Sequence, residues 1–225
     1  MKGSSSFYTA ITIIEVLVTI YLVYIILRGN ETSKYYVDGK GSVNIIGSFK
    51  NSKDAIKLMS DINERMLLFL THIQKKYMVF ATDEEKVIKM SPYSQKVLES
   101  LLRNFNYEEI HENRPPKRDG GETAYSIDKE IIMLCLRDNK LPMNLVDINT
   151  LMFVLLHECA HIASWNTYQH PRQFWRIFKF LLHEASLTGV YIPVDYRKYP
   201  VKYCGFVIDE NPYFIEMDTY NPYNE

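Results

Sequence analysis

The residues best suited to chemistry in this 225-residue chain are His157, Glu158 and His161, spaced as His-Glu-Cys-Ala-His. On a helix, residues four apart share a face with side-chain roots ~6 Å apart, so two imidazole nitrogens can converge on one divalent ion. Glu158 lies one residue round from His157 and cannot bind in the same way. It can reach a water beside the ion and take its proton as the water attacks a carbonyl. The spacing therefore encodes metal-assisted hydrolysis, with zinc as the ion and Glu158 as general base. In a chain with 6 histidines this spacing arises by chance on the order of 1% of the time, which outweighs a reading of two core histidines beside an exposed glutamate.

A catalytic zinc takes three protein ligands and keeps one position open. The metzincin spacing would place the third histidine at Thr167 and its glycine at Ser164, so that pattern fails. His170 follows His161 after a stretch long enough to reverse the chain. Glu184, on the next helical segment beside His183, is the alternative third ligand, as in glutamate-type zincins. His170 and His183 would stand roughly 20 Å apart along a helix and cannot share an ion. Tyr191, Tyr196 and Tyr203 follow, and one of them could donate to the oxyanion formed during attack. Tyr191 and Tyr196 are the candidate oxyanion stabilisers, although with 17 tyrosines in the chain packing is the commoner role of any one.

From about Ala124 to Ile208 the chain resembles the WLM/SprT-like branch of zinc metallopeptidases. The matching residues are His157-Glu158-x-x-His161 and then His170-Pro171-Arg172-Gln173-Phe174-Trp175. The resemblance implies that His157, His161 and His170 hold Zn2+, that Glu158 is the general base, and that the substrate is a protein or peptide. The stretches Phe178-Lys179-Phe180-Leu181-Leu182, Gly189-Val190-Tyr191 and Pro200 to Gly205 are similar to small membrane-anchored members encoded by large DNA viruses. Accessory motifs for DNA or ubiquitin-like proteins, which better-known relatives carry, are not seen, so a role in DNA–protein crosslink repair is not carried over. The resemblance spans somewhat over a third of the chain and leaves residues 1–110 outside it. The alternative function is a catalytically silent protein of the same fold, serving as a membrane-tethered binding or structural component.

The elements that must position these groups are legible in outline. Asp147 is a helix N-cap, and Thr150 to Leu156 lead without a breaker into His157. Pro171 suits the start of a second helix, whose apolar face is Phe174, Ile177, Phe178, Leu181, Leu182 and Ala185, with Gly189 at its C-cap. The apolar run Ile131 to Leu136 reads as a strand, and zincins place such a strand beside the cleft. Ile56, Met59, Ile62, Met66, Phe69, Leu70 and Ile73 recur at helical spacing after Ser52 or Asp54 as cap, and a further helix covers Ser94 to Phe105. Trp165 and Trp175 are expected to pack round the ligand loop. Short strand-like pieces such as Tyr203 to Ile208 lie in the tail. His72 and His111 have no partners at metal spacing and read as surface residues.

Charge is nearly balanced, 26 Lys+Arg against 27 Asp+Glu, so no nucleic acid is expected as a partner, and Arg114 to Arg118 reads as a solvated loop. Three cysteines, Cys135, Cys159 and Cys204, argue against a disulfide framework and favour a reducing compartment. Phe7 to Leu27 is an apolar run of the length that spans a bilayer, broken by Glu15. The expected fold is therefore α+β, a zincin-like metallopeptidase domain with a single N-terminal transmembrane helix. Residues 1–30 form the signal anchor, 31–50 a linker, and 51–225 the zincin-like domain with its core at 124–208. The balance of Lys and Arg about the run tips the catalytic domain toward the cytosol; substrate, membrane and oligomeric state are not written in the sequence.

Overall fold

Two hairpins and one strand between them build the sheet that backs the site. The computed structural model describes residues 14–21, 32–78, 91–116, 123–140, 143–164 and 169–221. Residues 14–21 are helical (α1), and strands β1 (Ser33–Val37) and β2 (Gly41–Ile45) pair antiparallel around a turn in which Gly39 and Gly41 take φ of 71° and 80°. Helix α2 (Ser52–Ile73) runs on into a π-helical turn, Gln74–Met78. Helix α3 (Pro92–Asn104) leads to β3 (Ile110–Asn113), and β4 (Ala124–Ile127) and β5 (Ile131–Cys135) form the second hairpin. Helices α4 (Ile148–Ala163) and α5 (Arg172–Leu187) follow, and then a small hairpin, β6 (Val201–Tyr203) and β7 (Phe206–Ile208).

The five-stranded sheet is mixed, in the order β1-β2-β3-β5-β4, with β3 parallel to both β2 and β5. Helix α2 packs on β2, α4 lies against β4 and β5, and α3 and α5 flank α4. Enclosed in this way, α4 is buried on nearly every face, which is why its sequence is apolar all round instead of striped. Asp147 caps it, its carboxylate accepting from the Thr150 amide at 3.0 Å. The apolar stripe of α5, with Phe174, Ile177, Leu181 and Leu182 fully buried, packs onto it, and α5 ends before Gly189 at φ 72°. The N-cap of α2 is Asn51, not Ser52 or Asp54.

Three expectations are overturned. Among the described residues no helix is long and apolar enough to cross a membrane, so the single transmembrane helix is not found. Of the apolar run only residues 14–21 are described, and they are helical; the rest of the run and the other residues of the 1–30 segment lie outside the described residues. The 31–50 segment is not a linker through its length, because residues 33–45 are two strands of the sheet. The glycines that mark a flexible linker by composition are the same glycines a tight turn requires, so the folded unit includes β1 and β2. Finally, Cys135 and Cys204, 69 residues apart, form a disulfide, and among the described residues Cys159 alone is a free cysteine, buried in α4. The argument for a reducing compartment from unpaired cysteines falls with it.

A buried ion pair fixes the sheet to the loop before α2. Arg137 and Glu112 are wholly enclosed and paired. Arg137 also donates to the Asn51 side chain at 3.0 Å and stacks over Phe49 at 4.4 Å, while Glu112 accepts from the Ile46 amide at 2.8 Å. Arg137 Nη2 alone is left without a hydrogen-bond partner among the described residues, so most but not all of the polar capacity of the buried pair is met by neighbours.

Candidate metal centre

Helix α4 sets His157 and His161 one turn apart with their ring centroids 4.9 Å from each other. The chain then reverses and returns His170 just before α5, its Nε2 3.1 Å from that of His157 and 3.0 Å from that of His161. These three residues form a group that could hold a metal ion, the one such group among the described residues. Ligands ~2.0–2.1 Å from a tetrahedral ion stand about 3.3 Å from one another, close to the spacing found. A hydrogen on one Nε2 can serve one neighbour, whereas a single cation serves all three lone pairs. The donor set therefore fits a cation better than it fits a hydrogen-bonded triangle.

Aromatic packing holds the imidazoles. Phe174, fully buried one turn into α5, has its ring centroid 5.0 Å from His157, 4.5 Å from His161 and 4.6 Å from His170. Phe178, one turn further, lies 5.2 Å from His157, and Trp175 lies 5.5 Å from His170. Trp165 and Thr167 fall outside the described residues. Burial, with the charges of His161 and His170, lowers His157 to about 3. Burial, with His170 and Lys129, lowers His161 to about 4, and burial lowers His170. All three rings are thus neutral at pH 7, with lone pairs free to ligate.

Glu158 is 5% exposed, and burial pushes its carboxyl up to about 7. A carboxylate poised there is matched to proton transfer at neutral pH. Lys129 sits in the three-residue turn between β4 and β5, where Asp128 and Lys129 both take positive φ (50° and 63°). Its charge, after burial and that of His170, helps to lower His161. Sequence reading passed over Lys129, because a turn lysine carries no motif.

The other candidates go elsewhere. Glu184 is not brought to the histidine triad. It accepts from Lys76 Nζ at 2.8 and 2.9 Å and from the Tyr77 hydroxyl at 3.0 Å, and pairs with His72 Nε2 at 2.7 Å, tying α5 to the end of α2. His72 is thereby a half-buried partner and not a free surface residue, and His111 pairs with Glu109 at 3.2 Å. Tyr191 and Tyr196, 1% and 2% exposed, pack round Phe153, one turn before His157. The Tyr191 oxygen accepts from Asn211 at 2.8 Å, and Tyr196 faces Thr150. Neither makes a hydrogen bond or ring contact with the imidazoles, so neither is placed to hold an oxyanion.

The chain is 28% identical over 209 residues to an uncharacterized protein of Acanthamoeba polyphaga mimivirus, a match covering 92% of this chain and 98% of that protein. It is 41% identical over 76 residues to an uncharacterized protein of Invertebrate iridescent virus 6, covering 33% of this chain and 42% of the relative. An uncharacterized protein of Invertebrate iridescent virus 3 is 42% identical over 85 residues, which is 37% of this chain and 50% of the relative. No family model and no solved structure matches significantly. The viral origin of the relatives is consistent with the expected kinship to viral proteins.

Proposed function

We propose that this chain is a zinc-dependent hydrolase of peptide bonds, related to WLM/SprT-like metallopeptidases. The observation that carries the reading is the convergence of the three histidines, His170 Nε2 standing 3.1 Å from that of His157 and 3.0 Å from that of His161, with the buried Glu158 next in sequence to one of them. His157, His161 and His170 would hold the ion, and three neutral imidazoles with one position left open suit catalytic zinc. When bound, zinc supplies Lewis-acid polarisation of water and of the scissile carbonyl. Glu158 takes the proton of the attacking water and returns it to the leaving amine. Strand β4, at the edge of the sheet and in contact with α4, offers a backbone ladder to an extended substrate.

Metal analysis and a cleavage assay on unfolded protein test this together. Wild type should bind one zinc and cut, Glu158→Gln should bind zinc without cutting, and His170→Ala should lose zinc. Zinc-loaded wild type that cuts no unfolded protein, under conditions where a control zincin works, would instead favour a silent, binding relative. Wild type without any bound metal would sink the hydrolase and the zinc-holding form of the silent relative.

A further inference from the structure

The ring centroids of His157, His161 and His170 stand 4.9, 4.9 and 4.8 Å from one another. That of Phe174 stands 5.0, 4.5 and 4.6 Å from the same three. Four rings at such even separations occupy the corners of a tetrahedron, with the phenyl over the middle of the imidazole triangle. Among the described residues no other aromatic ring is so placed: of the three histidines Phe178 meets His157 alone, and Trp175 meets His170 alone. Metal-binding imidazoles are ordinarily oriented by a hydrogen bond from the nitrogen that faces away from the ion, given to a carboxylate or carbonyl. Among the described residues these three rings make hydrogen-bond contacts only with one another. Their orientation therefore falls to ring packing, and Phe174 is the side chain that packs on all three. It is fully buried whereas His170 is exposed, so the phenyl closes the inner side of the triangle and the outer side faces solvent. Rings in contact at these distances leave no room for a water between them.

We propose that Phe174 is a positioning residue for the metal: its ring sets the angles of the three imidazoles and walls off the inner side of the ion, leaving one open position toward solvent. This role rests on the triad holding a metal, as in the proposed hydrolase. Three protein ligands with one open position make a catalytic site, whereas a second opening admits another water and expands the coordination. Phe174→Leu keeps the position apolar but covers less of the three rings. It frees them to tilt and opens the inner side to water.

The test loads the full chain with cobalt(II), whose visible absorption is far stronger with four ligands than with more, and measures zinc affinity and melting temperature beside it. The variants are Phe174→Leu, Phe174→Met and Phe180→Leu. Phe180 belongs to the same helix, is 4% exposed, and packs on Tyr77 and Tyr220. Wild type should give the strong band. Phe174→Leu and Phe174→Met should weaken it and bind zinc about ten- to a hundred-fold less tightly, the scale of losing a group that orients a metal ligand. The methionine variant fills more of the phenyl's space and keeps the test open if the leucine variant fails to fold. Phe180→Leu should melt lower yet keep both band and affinity. A folded Phe174 variant with wild-type band and affinity overturns the role while leaving the metal site standing, and so does equal weakening in Phe180→Leu. Wild type that binds neither ion overturns the metal reading and this role with it.

Discussion

The Nε2 atoms of His161 and His170 lie 3.0 Å apart although a helix end and a chain reversal separate the two residues. Two neutral imidazoles gain little from such proximity unless one of them donates, and His157 competes for the same spot at 3.1 Å from His170. A shared cation resolves the competition. His170→Ala and Glu184→Gln should therefore behave oppositely. The first should lose the metal with the fold retained, read by metal analysis and circular dichroism. The second should keep the metal but lose about 1–3 kcal/mol of stability, because Lys76, His72 and Tyr77 lose a buried charged partner. Metal loss in Glu184→Gln would reassign the third ligand.

Glu158 works as a base only when ionised, so cleavage should rise with pH along an acid limb. Its carboxyl stands near 7 without the ion, and a nearby dication lowers it from there toward its ordinary 4.5. The limb is therefore expected between about 4.5 and 7 in a pH–rate profile. A profile flat across that window would count against Glu158.

The same burial has a consequence for the chelated, metal-free chain. The folded carboxyl titrates above its unfolded value, so its contribution to stability is complete below pH 4.5 and is lost as pH rises through about 7. The loss is on the order of 3 kcal/mol. Glu158→Gln cannot titrate there, and the histidines act alike in both proteins. Denaturant melts should thus show the variant gaining on wild type between about pH 5 and about pH 8. Equal slopes would mean that Glu158 is solvated.

Of three cysteines, one should react with a thiol reagent in the denatured, unreduced chain and three after reduction. Closing a loop of 69 residues restricts the unfolded chain by about 4 kcal/mol in the entropic account. Cys135→Ser should accordingly lower the melting temperature, and three reactive thiols before reduction would refute the pairing.

Removing one partner of the enclosed Arg137–Glu112 pair leaves a charge without compensation. Arg137→Met should cost about 3–5 kcal/mol. The double variant with Glu112→Leu should recover part of that loss, since it leaves no buried charge. Additive losses in a double-mutant cycle would contradict the pairing.

The sequence by itself determined whatever depends on neighbours along one helix. Helical spacing puts His157 and His161 on one side and Glu158 beside them, and the caps at Asp147 and Gly189 bound α4 and α5 within a residue or two of the observed ends. Resemblance singled out His170 ahead of Glu184, and the fold brings His170 to the triad. Tertiary structure alone decided what depends on distance across the chain. The Glu184 side chain went to His72 and Lys76 because α2 crosses the end of α5, and nothing in a one-dimensional pattern records that crossing. Gly39 and Gly41 had the composition of a linker and the geometry of a turn, a difference set by pairing of β1 with β2. The apolar run has the length to span a bilayer, but among the described residues no helix is long and apolar enough to do so, and a run's composition does not record that. Cys135 and Cys204 meet because the β6–β7 turn folds inward against β5, a contact that no spacing along the chain records.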